Sequence, residues 1–491
     1  MPTRLVVEGH RIEIASAGKI LEARASAVDP RPDARERTRR PAVRMSRPTT
    51  PGRRRRRMPD RWMPILYFSF AHLCLFAAFA TVAVDPRGVG GFFYHPRMLA
   101  VVHLITLGWI TGSIIGALYV ISPLALGAPL PRRGLDGWAF ALFVIGVLGL
   151  VGHFGADAPS GIESTVVTLL VALLYVAGRV AVALRQSPVP LTVKVHFRLA
   201  FVNLLLAGGL ALLITLDRLA PLLPGGKLAA VYAHAHLAAL GWVLMTVMGA
   251  AYRLLPMLLP AAMPHDRPTW ITVVLLETGV LGLALGLWAS STAWTVPSAL
   301  LCLLAIALFV GQVAAMLRRP KPRPPALRRP DIGLLHVGSA VLWLVVSAGL
   351  GAAIVLLPEG LWKLEAILVY GALGLVGALA QMVVGVGSRL LPLYAWFRGF
   401  AGSDLERLPP SPHELPRRSL QWTVFGLWTA GVPGLAAGLA IDDARLLAAS
   451  AAALATAVAV SATVAVRAVQ RAESEGRPTP ATERSATDAS H

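Results

Sequence analysis

Residues 232–256 read YAHAHLAALGWVLMTVMGAAYRLLP. The stretch is apolar and exceeds the roughly 20 residues a helix needs to cross a bilayer, yet His234 and His236 fall within its first two turns. Imidazole in hydrocarbon is costly without a partner, so each ring counts as a candidate functional group. Residues two apart on a helix point about 200° apart, which aims the rings at opposite sides. One helix can thus serve two neighbouring cavities.

The rest of the chain is of the same kind. Its 491 residues are 55% hydrophobic and only 15% charged, with a mean hydropathy of +0.63. Together with repeated apolar runs of about 20 residues, this composition gives a polytopic membrane protein and excludes a soluble enzyme. A net charge of +20 suits nucleic acid at first sight, but Lys and Arg gather in the N-terminal stretch and in alternate connections. That is the pattern of the positive-inside rule, so the charge reads as topology and no nucleic-acid partner is expected. The two cysteines, Cys74 and Cys302, fall inside predicted spans without metal-site or disulfide spacing, and read as packing residues.

In chain order, residues 1–57 are rich in Arg, Pro and Ala, include the run Arg53 to Arg57, and have no apolar core. They read as a disordered basic cytoplasmic tail without the apolar centre of a secretory signal, and Met58 is an alternative start. The membrane domain, 58–470, has twelve spans near 62–84, 95–124, 135–155, 162–184, 193–216, 228–257, 269–289, 294–316, 332–357, 362–393, 418–440 and 443–467. Even-to-odd connections carry Arg132 and Arg133, Arg185 and Lys194, the run Arg318, Arg319, Lys321, Arg323, Arg328 and Arg329, and Arg417 with Arg418. These connections and both termini are expected on the cytoplasmic side. Residues 471–491 are polar and read as a disordered tail.

An internal repeat sets the expected architecture. His103, Gly108, Trp109, Gly116, Tyr119 and Pro123 of the second span recur 133 residues later as His236, Gly241, Trp242, Gly249, Tyr252 and Pro256. A weaker third copy lies a further 136 residues on, where Gly377, Gly385 and Arg389-Leu390-Leu391-Pro392 match the sixth span, and Tyr370 and Ala372 stand in place of the histidines. First helices of the second and third units also agree, His196 and Ala200 matching His336 and Ala340. The expected fold is all-α, with three pseudo-symmetric four-helix units in a ring and the second, sixth and tenth helices innermost.

These features resemble the catalytic subunit of the heme-copper oxidases, a superfamily that includes nitric oxide reductases. His234-x-His236-x-x-Ala239-Leu240-Gly241-Trp242, followed by Met245, Gly249-Ala250, Tyr252 and Pro256, is similar to the tenth helix of the cbb-type oxidases. There the first histidine binds the high-spin heme and the second the low-spin heme. The second span, with His103, Gly116, Tyr119 and Pro123, resembles the helix whose histidine binds copper, and His153 stands for one of the further copper histidines. The resemblance implies a divergent oxidoreductase of the bacterial inner membrane, with heme and copper as cofactors, a quinol or cytochrome electron donor, and additional small membrane subunits. A nitric-oxide-linked heme and copper family of similar layout is echoed by Gly387, Arg389 and Pro392.

The departures bear on function. The family's site takes six histidines; here the adjacent copper pair is reduced to His153, and the tenth span has none. Heme through His236 and His234, with His103 as a further heme or copper ligand, is set against interhelical hydrogen bonding, the ordinary use of polar groups in a membrane. Glu277, inside the seventh span, is a proton-relay candidate or a partner for Arg253. Gly108, Gly116, Gly241 and Gly249 allow close helix approach or room for a porphyrin face. The second function class is a non-catalytic scaffold or cofactor-handling protein that kept the fold without turnover.

Overall fold

The computed structural model describes residues 5–7, 10–12, 59–158, 160–223, 226–258, 260–262, 266–322, 330–400 and 409–476. The basic run Arg53–Arg57, the loop residues Arg323, Arg328 and Arg329, and the tail beyond residue 476 lie outside the described residues. The chain divides into two compact units, Met1–Thr50 and Pro51–His491. In the first, β1 (Leu5–Val7) pairs antiparallel with β2 (His10–Ile12).

Among its described residues the second unit has twelve helices long and apolar enough to span a membrane, and the protein is a polytopic helical membrane protein. They are α1 (Met63–Val84), α2 (Pro96–Leu124), α3 (Gly134–Gly155), α4 (Ile162–Arg185), α5 (Leu191–Leu216) and α6 (Lys227–Met257), followed by α7 (Arg267–Trp288), α8 (Thr292–Leu317), α9 (Ile332–Leu356), α10 (Trp362–Phe400), α11 (Arg418–Ala440) and α12 (Ala444–Glu475). Helices are the natural choice because a backbone in hydrocarbon has to satisfy its polar groups within its own segment. Most boundaries fall within two residues of those read from hydropathy. Two do not: α10 continues to Phe400 and α12 to Glu475, so residues 471–475 are helical rather than part of an unstructured tail. Each extension supports the other. Arg398 is ion-paired with Glu473, and Gly399 lies so close to α12 that a Cβ would meet the Ala472 carbonyl.

Within each run of four, consecutive helices pack as hairpins, and α4 lies on α5, α8 on α9 and α12 on α1. The inner contact is made by α2, α6 and α10. Trp109 donates its indole N–H to the Ala380 carbonyl at 3.4 Å, and Trp242 donates to Thr111 Oγ1 at 3.0 Å. The repeated glycines explain how close the inner helices come to their neighbours. A Cβ at Gly108 would lie 2.4 Å from that of Cys74, at Gly241 2.7 Å from that of Asn203, and at Gly377 2.9 Å from the ring of Trp343. Gly116, Gly249 and Gly385 abut Tyr67, His196 and His336 in the same way. Of the two uses expected for the four glycines of α2 and α6, they serve helix approach.

Each inner helix also departs from α geometry in the same place. π-helical turns occupy Leu104–Thr111, Leu237–Leu244 and Ala372–Ala380, beginning just after His103, just after His236, and at Ala372, their counterpart in the repeat. Such i→i+5 turns are rare and concentrate at functional sites.

Candidate cofactor site between the second and sixth helices

The two histidines of α6 do face different neighbours. His234 looks toward α2, where its ring lies 6.4 Å from that of His103, the two planes 21° apart. Each ring is held from behind by a backbone carbonyl: His103 Nδ1 contacts Leu99 O at 2.7 Å, and His234 Nδ1 contacts Ala207 O of α5 at 2.9 Å. A carbonyl can only accept, so Nδ1 carries the proton and the lone pair of the neutral ring is on Nε2. Backbone anchoring of Nδ1 is how metal-ligating histidines are commonly oriented.

Both rings line one cavity of about 220 Å³ between α2, α4, α5 and α6. Its wall is almost wholly apolar, with Leu99, Val102, Leu107, Phe154, Ala238 and Val243 among the lining residues. Charge enters at one end only, where Arg218 and Lys227 join Tyr94. Lys227 precedes His234 by seven residues, two helical turns, which puts it on the same face about 10 Å further out. Neither cation forms an ion pair among the described residues. The cavity pairs two oriented imidazole lone pairs with an apolar slot and a cationic rim.

That arrangement fits a heme. A single metal held between two imidazoles at about 2.0 Å per bond separates the ring centres by about 6 Å, close to the spacing of His103 and His234. The slot suits the apolar macrocycle, and Arg218 with Lys227 suits its carboxylates. His103 and His234 are the residues that would hold it.

His236, the other expected heme ligand, does not line this cavity and faces α10. Its Nδ1–H donates to Tyr232 O at 2.8 Å, and its Nε2 accepts from the Tyr370 hydroxyl of α10 at 3.3 Å, so its lone pair is already engaged. His153 is not brought to His103. It donates from Nδ1 to Ala158 O at 2.9 Å, and the α3 side chain that reaches His103 is Phe154, 5.2 Å ring to ring. Among the described residues no group of three or more His, Cys, Asp or Glu converges as a metal site.

Among the described residues Glu277 pairs with neither cation nor histidine. Asn203 of α5 donates to it at 2.8 Å, while Arg253, its expected partner, donates to Ala125 O instead. His72 and His196 are buried and return Nδ1 to their own helix at Phe68 O and Thr192 O, and His336 lies beside Gln381. Cys74 and Cys302 are buried free thiols against Gly108 and Gly279, as packing residues should be. Sequence reading missed the part of Asn203, Arg218 and Lys227. The seven-residue phase of Lys227 with His234 was the one available signal.

No protein-family model matches the chain, and no curated protein matches it. Fold and geometry define a class: a twelve-span helical membrane protein with a histidine-lined cavity between its second and sixth helices.

Proposed function

We propose that the protein is an integral membrane heme protein in which His103 of α2 and His234 of α6 would hold the heme. The observation that carries the reading is the pair of near-parallel imidazoles, each fixed through Nδ1, with ring centres 6.4 Å apart on one apolar cavity. The resemblance of the second and sixth spans to heme-copper oxidase helices supports the same cofactor.

A heme held by these two imidazoles would supply one-electron transfer. That makes the protein an electron relay rather than a gas-binding or oxygen-reducing centre. The chain's own residues do the rest. Leu99 O and Ala207 O hold the rings in the Nδ1–H tautomer, the apolar wall excludes water, and Arg218 and Lys227 neutralise the carboxylates at the rim. Copper is assigned no residue. The electrons come from a quinol or a reduced cytochrome. With the arginine-rich connections facing the cytoplasm of a bacterial inner membrane, the heme lies in the outer half of the bilayer.

Purification of the full-length protein from heme-replete membranes, followed by pyridine hemochrome analysis, tests this. About one heme per chain is expected from one axial pair; a heme-free wild-type protein rejects the reading.

A further inference from the structure

Hydroxyl groups on a membrane helix commonly return to their own backbone, bonding the carbonyl one turn back. Thr168, Thr429 and Thr456 do so, each at 2.8 Å. Two buried hydroxyls depart from that habit. Ser113 Oγ on α2 and Thr246 Oγ1 on α6 have no hydrogen-bond partner, although their side chains are only 1% and 4% exposed. Buried polar atoms without a partner are uncommon in folded proteins and call for an explanation.

The two positions are equivalent in the repeat. Ser113, Thr246 and Met382 correspond at the offsets of 133 and 136, and so do Ile121, Leu254 and Leu390. All six line one central cavity of about 100 Å³ where α2, α6 and α10 meet, and apart from the two hydroxyl residues every lining residue is apolar. The second triplet lies about 12 Å beyond the first, toward the arginine-rich end. The hydroxyls and the Met382 thioether therefore stand together at the end nearer the bilayer centre. Ser113 is itself about 15 Å along α2 from His103, so this cavity is separate from the one that His103 and His234 share.

One junction of the bundle leads to it. α9 is the least buried of the twelve spans, and α8 and α9 meet less closely than α4 with α5 or α12 with α1. Phe309 and Val313 of α8 and Val337 and Val341 of α9 line the cavity on that side.

We propose that the central cavity binds a small uncharged molecule taken from the bilayer between α8 and α9, with an apolar body and one oxygen head, an alcohol or a ketone. A charged ligand is excluded because nothing in the wall compensates it. A purely apolar ligand leaves both hydroxyls without partners. An alcohol supplies them: rotation about χ1 brings both hydroxyls to its oxygen, Ser113 donates to it, and the alcohol donates to Thr246 Oγ1. A ketone accepts from both. An apolar cavity of about 150 Å³ takes a benzene-sized molecule, so this smaller one suits a body of about four carbons. The inference is independent of the heme reading.

Photolabelling of the full-length protein in lipid vesicles with a butanol-sized alcohol bearing a diazirine, followed by peptide mass spectrometry, tests it. Adducts are expected within residues 113–121, 246–255 and 382–390, and n-butanol should compete them away. The double variant Ser113→Ala, Thr246→Val keeps the shape of the cavity and should label about tenfold less, the factor of one net hydrogen bond. Ala250→Leu fills the cavity and should abolish the adducts. Xenon needs no hydrogen bond, so its NMR shift should still report binding to the double variant; if that variant has lost its xenon site, Ser113→Ala and Thr246→Ala singly take its place. Adducts absent from these stretches, as when the hydroxyls hold only ordered water, or undiminished in a variant that still takes up xenon, overturn the proposal.

Discussion

The rings of His103 and His234 lie 6.4 Å apart with planes at 21°, and those of His236 and Tyr370 lie 6.2 Å apart at the same 21°. The two pairs are one relation used twice, since His103 and His236 correspond in the repeat, as do His234 and Tyr370. At the third inner contact the corresponding residues are Val101 and Ala372, which line an apolar cavity of about 120 Å³. One contact offers two free nitrogens, one is closed by a hydrogen bond, and one is apolar.

Ligand variants should follow that order. On the proposed reading, His103→Ala and His234→Ala should each lower heme affinity by at least about tenfold, the scale of losses at metal sites. His236→Ala removes only a bond to Tyr370 and should leave heme content near wild type. Hemochrome stoichiometry of the three purified variants checks this. Sequence alone ranks His236 first, so the order discriminates.

Glycine variants report on helix approach. Gly108→Ala and Gly241→Ala place a Cβ within 2.7 Å of Cys74 and Asn203 atoms and should cost about 1–3 kcal/mol through overpacking. Gly178, with nothing within 4 Å of an added Cβ, should tolerate alanine without loss. Thermal unfolding followed by tryptophan fluorescence separates the two classes.

The segment before α11 should respond to pH. His413, outside the spans, sits 3.1 Å from Arg389 Nη1, and Arg389 is ion-paired with Asp331. Burial first, then the Arg389 charge, lowers the His413 pKa below its ordinary 6.5, with Glu414 opposing. The folded state therefore favours neutral His413: this contribution is present above about 6.5 and is lost as the pH falls from there toward the depressed folded value. Trp396 donates to Pro410 O at 2.8 Å and so reports docking of the segment. Its fluorescence should change over that acid range in wild type and stay flat in His413→Gln.

Sidedness is tested by single cysteines at Arg319 and Ser290. A membrane-impermeant maleimide added to intact cells should label Ser290→Cys and spare Arg319→Cys, as the charge bias requires. The reverse pattern inverts the map.

What could be read in advance follows from the range of the forces involved. The twelve spans were legible because hydropathy is a local property, and the divergence of His234 and His236 because helical phase is local too. The π turns after His103 and His236 were not, since a shift from i→i+4 to i→i+5 bonding leaves no residue pattern of its own. The occupation of His236 Nε2 by Tyr370, and of Glu277 by Asn203, depends on which helices become neighbours across 134 and 74 residues. The ends of α10 and α12 were misjudged because the Arg398–Glu473 pair that holds them is equally a tertiary fact.

Low-temperature electron paramagnetic resonance of the purified, oxidised wild-type protein, with and without added cyanide, bears most directly on His103 and His234. Two axial imidazoles give a low-spin ferric signal that cyanide leaves unchanged and that His103→Ala abolishes. A high-spin signal that cyanide converts, or a low-spin signal that survives His103→Ala, contradicts ligation by this pair.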